Sequence, residues 1–100
     1  MENLIYLMGN LGKDPKVKYT DKGAVAYISL AVADGYGENK ETIWHNIQAI
    51  GKLAETIGNN LSKGSKVLVR AKFKMGIDKE GNSYVYIRAT RIKFLNKKAA

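Results

Sequence analysis

Cysteine is absent from the 100 residues, proline, tryptophan and histidine occur once each, and nine acids stand against seventeen lysines and arginines. Each shortage removes a class of explanation. Without cysteine there is neither a disulfide nor a thiolate nucleophile, so stability must come from packing, within the chain or across a subunit interface. The acids are scattered over loops, with Asp14, Asp21, Asp34 and Glu38 showing no paired spacing on one element. His45 has no catalytic partner set, no metal-ligand cluster is visible, and no glycine loop leads into a helix in the phosphate-binding pattern. The sequence therefore does not describe an enzyme, and no cofactor or metal is expected. No apolar run is long enough to span a bilayer, and the start, Met1 to Tyr6, is neither basic nor apolar enough for a signal peptide. Residence in the cytoplasm, away from membranes, is the expectation.

What is present describes one small basic domain. A chain of this length buries a single core, and a hydrophobic share of 45% is enough to form one. The formal charge of +8 attracts polyanions and speeds their capture. Charge alone does not separate such a surface from a lysine-rich solubilising one, because it says nothing about placement.

Placement is clearest in Thr42 to Ile50. At strand period Trp44, Asn46, Gln48 and Ile50 face one way, and Ile43, His45, Ile47 and Ala49 the other. A flat indole among amide side chains is a poor design for a closed core. It suits the stacking of a flat ligand whose edges need hydrogen bonds.

Around that stretch the chain alternates as strands do. Leu4 to Met8 is an apolar run that reads as a buried first strand, closed by Gly9-Asn10-Leu11-Gly12. Residues 13–23 form a turn-rich connection with four lysines, among them Lys18, beside Tyr19. Ala26, Ile28, Leu30 and Val32 form a core row, and Val25, Tyr27, Ser29 and Ala31 a mixed row opposite. Tyr36 sits among glycines at a hairpin tip before the tryptophan strand. Leu53, Ala54, Ile57 and Leu61 then recur at helical spacing, and Ser62 to Ser65 supplies a stop. This one short helix is placed to plug the open end of a barrel.

The next strand, Lys66 to Met75, carries an apolar row of Val67, Val69, Ala71, Phe73 and Met75 against Leu68, Arg70, Lys72 and Lys74. Side chains on one strand face are about 6 to 7 Å apart, close to the phosphate spacing of an extended single strand. Edge protection needs only one or two charges, so three in file fit a backbone track better. The final strand turns Val85, Ile87 and Ala89 inward and leaves Tyr84, Tyr86 and Arg88 outside. Its apolar parity then shifts to Ile92 and Phe94, which requires a bulge near Thr90 and Arg91. Five strands with one helix between the third and fourth give an all-β, Greek-key oligonucleotide-binding (OB) barrel over residues 1–95. Residues 96–100 form a short basic end.

The stretches Ile5 to Pro15, Val17 to Thr20, Trp44-His45, Gly51 to Glu55 and Lys63 to Ser65 resemble, in order along nearly the whole chain, the bacterial and phage single-stranded-DNA-binding proteins. The resemblance implies a homotetramer that binds single-stranded DNA with little sequence preference and protects it in replication, recombination and repair. Trp44 and Tyr36 match two stacking positions of that family, and Lys52 a basic one. His45 falls where the family has a histidine at or near a subunit contact, and Tyr6 is expected there with it. The expected DNA-binding set is Lys18, Tyr19, Tyr36, Trp44, Asn46, Gln48, Ile50, Lys52, Arg70, Lys72, Lys74, Tyr84, Tyr86 and Arg88.

There are departures from the family pattern. Ile50 stands where an aromatic is common, and Met75-Gly76-Ile77 lacks a tryptophan that many members carry. With stacking worth about 1 to 3 kcal/mol per base, charge and Tyr84 or Tyr86 must compensate. No linker or acidic, Phe-ended tail is present, so tail-mediated protein partners are not expected. A barrel of this kind also serves as a primosome accessory protein or an RNA binder, and those alternatives stay open on sequence alone.

Overall fold

The computed structural model describes residues 3–35 and 37–95. Within them the order is β1 (Leu4–Leu11), β2 (Lys16–Thr20), β3 (Gly23–Asp34), β4 (Glu41–Ile50), α1 (Lys52–Asn60), β5 (Lys66–Ile77) and β6 (Ser83–Phe94). The strands run β1-β5-β6-β4-β3-β2 across the sheet, and a further pairing of β1 with β3 closes the ring. Closure requires two backbones to come together, at Asn10 with Ala31 and Leu11 with Leu30. Gly9 permits it, since a Cβ there would lie 2.1 Å from the Ala31 carbonyl oxygen.

The expected OB fold is thus observed, with one strand more than the five expected. The extra strand is β2, inside the connection read as turns. Its five residues include one aliphatic side chain, Val17, so the alternation is too weak to announce a strand; pairing with β3 makes it one. The core row of β3 is as expected: Ala26, Ile28 and Leu30 are buried and Val32 packs against them. Ile47 and Ala49 of β4, Val67, Val69 and Ala71 of β5 and Ala54 and Ile57 of α1 join the interior, with Leu11, Ala24, Leu61 and Ala89. Each fully buried Val, Leu or Ile among them contributes roughly 1.5 to 3 kcal/mol.

Two apolar runs are less buried than their composition implied. In β1 the side chains of Ile5 and Leu7 turn toward the core, while Leu4, Tyr6 and Met8 are 39%, 63% and 53% exposed. An all-apolar run gives no sign of which parity faces in, and β1 covers the barrel with one face only. The inner row of β5 leaves the core after Ala71: Phe73 and Met75 lie on a hairpin arm with β6 that runs beyond the barrel. The bulge expected near Thr90 and Arg91 is present. Arg70 pairs with Arg91 and Ala71 with Ala89, leaving Thr90 outside the ladder, where its hydroxyl donates to the Arg70 carbonyl oxygen at 3.1 Å. The expected basic end, 96–100, and the expected tip residue Tyr36 lie outside the described residues.

Candidate nucleic-acid interface

Strand alternation decides which side chains leave the barrel, and register decides which of them become neighbours. Lys16 of β2 pairs with Tyr27 of β3, Tyr27 with Gln48 of β4, Gln48 with Arg88 of β6, and Arg88 with Lys72 of β5. These residues form one transverse row over five strands. With neighbouring strands about 4.8 Å apart, the row is on the order of 20 Å long.

The middle of the row is tied together by side chains. Arg88 donates from Nε to Gln48 Oε1 at 3.2 Å and from Nη2 to the Tyr86 hydroxyl at 3.1 Å. Its Cζ lies 5.4 Å from the centroid of the Tyr86 ring, a cation–π distance. The Tyr84 and Tyr86 rings follow at a centroid separation of 5.9 Å, and Lys74 pairs with Tyr86 across the arm. Gln48, Tyr84, Tyr86 and Arg88, together with Lys13, Lys16, Tyr27, Ser29 and Asn46, line an open groove of about 540 Å³, a size that accepts small planar ligands. None of its lining residues is acidic, so the field inside it is set by the cations.

Trp44 lies at the far end of the β4 outer row, pairs with Ala31 and is 60% exposed. Its ring rests on the backbone of Gly12. That glycine directly follows β1, in a segment anchored by neighbouring hydrogen bonds: Gly12 N–H donates to the Ser29 carbonyl oxygen, and Asp14 Oδ1 accepts from Lys63 N–H at 2.7 Å. Between Trp44 and Gln48, the Ser29 hydroxyl donates to Asn46 Oδ1 at 3.3 Å. The same face continues through Ile50, Val25 and Lys18, which are register partners in turn.

Not every expected residue joins this surface. Tyr19 pairs with the core residue Ala24, so it projects on the opposite side of β2 from Lys16 and Lys18. The file on β5 is divided at the bulge. Lys72 and Lys74 belong with Arg88 and Tyr86, whereas Arg70 pairs with Tyr6 and Arg91 and lines a separate depression with them. Lys52 is exposed at the first residue of α1, beyond Ile50. His45 pairs with buried Leu30 and is partly buried, on the face opposite Trp44.

The groove also contains residues that the expected set did not include, among them Tyr27, Lys16, Lys13 and Ser29. Tyr27 had a visible signal. It occupies the mixed row of its strand, whose parity becomes that of the tryptophan face once β3 and β4 pair as a hairpin.

Among the described residues no cluster of His, Asp or Glu is arranged to hold a metal ion, and no helix is long and apolar enough to cross a membrane. Residues 2–95 match the model of the Single-strand binding protein family.

Proposed function

The chain belongs to the single-strand binding protein family, whose members are non-enzymatic DNA-binding proteins, and we propose that it holds single-stranded DNA across the row Lys16–Tyr27–Gln48–Arg88–Lys72. The observation that carries this reading is the row itself. Cations stand at both ends of it, and an aromatic ring and an arginine stacked on a second ring stand between. Phosphates are drawn by Lys13, Lys16, Lys18, Lys72 and Lys74, releasing counterions, while bases stack on Trp44, Tyr27, Tyr84 and Tyr86. Asn46, Gln48 and Ile50 form the floor over which the bases pass, Lys52 extends the track, and Tyr36 serves as a further base-stacking residue. Arg70 and Tyr19 contribute only at its margins, by general electrostatics and by contact with strand leaving the face.

Binding of this kind has little sequence preference, because every base has a face to stack. Duplex DNA binds weakly, since pairing hides those faces. The cellular role that follows is protection of single strands in replication, recombination and repair, in the cytoplasm. We further propose a homotetramer, with Tyr6 and His45 near subunit contacts. Leu4, Tyr6 and Met8 leave an apolar outer stripe on β1 that a second copy is suited to cover.

Fluorescence titration with oligo-dT tests the site. Trp44→Ala weakens binding by about 1 to 3 kcal/mol with an unchanged salt slope. An unaltered affinity would remove the stacking surface from the proposal, and tighter binding of matched RNA than of DNA would replace the substrate. Light scattering with and without oligo-dT checks the tetramer; a dimer under both conditions would reject it.

A further inference from the structure

We propose that the Gln48–Arg88–Tyr86 cluster reads base edges and favours guanine, as a modest bias within otherwise sequence-tolerant binding; this rests on the single-strand reading above. The inference starts from how Arg88 is held. One hydrogen bond fixes its Nε to Gln48, another fixes its Nη2 to the Tyr86 hydroxyl, and its Cζ lies over the Tyr86 ring at 5.4 Å from the centroid. Capture of phosphate needs no such restraint, because a lysine on a mobile stem serves as a point charge, and Lys13 and Lys16 already line the same groove. A guanidinium has more N–H groups than these two contacts use. Held in one plane, the remainder form a fork suited to two adjacent acceptors.

The surrounding groups sharpen this selection. Gln48 Oε1 accepts from Arg88, and Asn46 Oδ1 accepts from the Ser29 hydroxyl, so both amide oxygens on the β4 face are already engaged by protein donors. Their amide nitrogens remain as donors, and no carboxylate lines the groove. The groove thus offers an incoming base mainly N–H groups. Guanine presents two neighbouring acceptors, N7 and O6, on one edge. Adenine places its amino donor where guanine has O6, and cytosine also presents an amino group, so donor would meet donor. Tyr27, cross-strand neighbour of Gln48, supplies a ring against which a base can lie while Arg88 meets its edge.

The experiment compares thymine-rich oligonucleotides that differ only at a few isolated positions, occupied by guanine, adenine, 7-deazaguanine or hypoxanthine. Isolated guanines cannot form quadruplexes. The guanine oligonucleotide binds about fivefold tighter than the adenine one, the low end of what a bidentate contact supplies at a partly open site. Replacing N7 by carbon in 7-deazaguanine removes the advantage, and hypoxanthine, which retains N7 and O6, keeps it. In Arg88→Lys the guanine-to-adenine ratio falls to about one, whatever happens to overall affinity. Equal binding of the guanine, adenine and 7-deazaguanine oligonucleotides, with all-thymine DNA still bound, overturns the base-edge reading and leaves the single-strand reading standing. Failure to bind all-thymine DNA at low salt overturns both.

Discussion

The six-membered ring of Trp44 packs directly against Gly12: a Cβ built there would be 2.3 Å from Cζ3 and 2.7 Å from Cη2. Neither distance is compatible with a real side chain, so the seat of the lone tryptophan depends on a glycine far from it in the chain. The contact links the turn after β1 to the outer face of β4 and fixes one edge of the ring.

Gly12→Ala should therefore act on binding through Trp44. The methyl lifts the ring, and oligo-dT affinity falls several-fold, within the roughly 1 to 3 kcal/mol that one stacking platform is worth. Because the chain has one tryptophan, the emission maximum of the free protein reports the displacement directly. Unchanged emission and unchanged affinity would show that the ring is not held there.

The charge and stacking contributions separate by salt. Lys74→Gln removes a cation that pairs with Tyr86 on the arm, and the slope of log K against log salt becomes shallower by about 0.7, the value for one phosphate contact on a single strand. The same measurement on Trp44→Ala returns the parent slope.

Two tyrosines close in sequence should behave differently. Tyr27→Ala removes a groove ring and weakens binding by about 1 to 3 kcal/mol. Tyr19→Ala, on the Ala24 side of β2, changes affinity by less than about 0.5 kcal/mol, as surface substitutions away from a site do. Equal losses in parallel titrations would place the bound strand around the edge of β2 instead of across its outer face.

Stability is set elsewhere. Leu30 is fully buried where β1 closes on β3, and Leu30→Ala should cost about 2 to 5 kcal/mol in chemical denaturation. The same substitution at the exposed Met8 leaves the unfolding of the isolated subunit nearly unchanged.

How much of this was legible beforehand depends on whether the signal was local. Alternation within a strand is written in consecutive residues, so the outer row Trp44–Asn46–Gln48–Ile50 and the inner row Ala26–Ile28–Leu30 could be read directly. The parity change between Ala89 and Ile92 even located the bulge. The helix was equally plain, because Ala54 and Ile57 repeat at its period and both are buried. Where alternation was missing, the reading failed: β1 is apolar at nearly every position, and its outer side chains are exposed.

The order of residues therefore determined the fold class, the basic character and which face of each alternating strand is wet, since these follow from periodicity and charge. Only tertiary structure decided the company each residue keeps. Lys16, Tyr27, Gln48, Arg88 and Lys72 come from five strands, and no local pattern encodes their common row. Register also set Arg70 beside Tyr6 and Arg91, and Tyr19 beside Ala24 on the side of β2 away from Lys18, because a one-residue step along a strand reverses a side chain's face. Hydrogen-bonded pairing between distant strands fixes those relations, and a linear chain does not contain them until it closes.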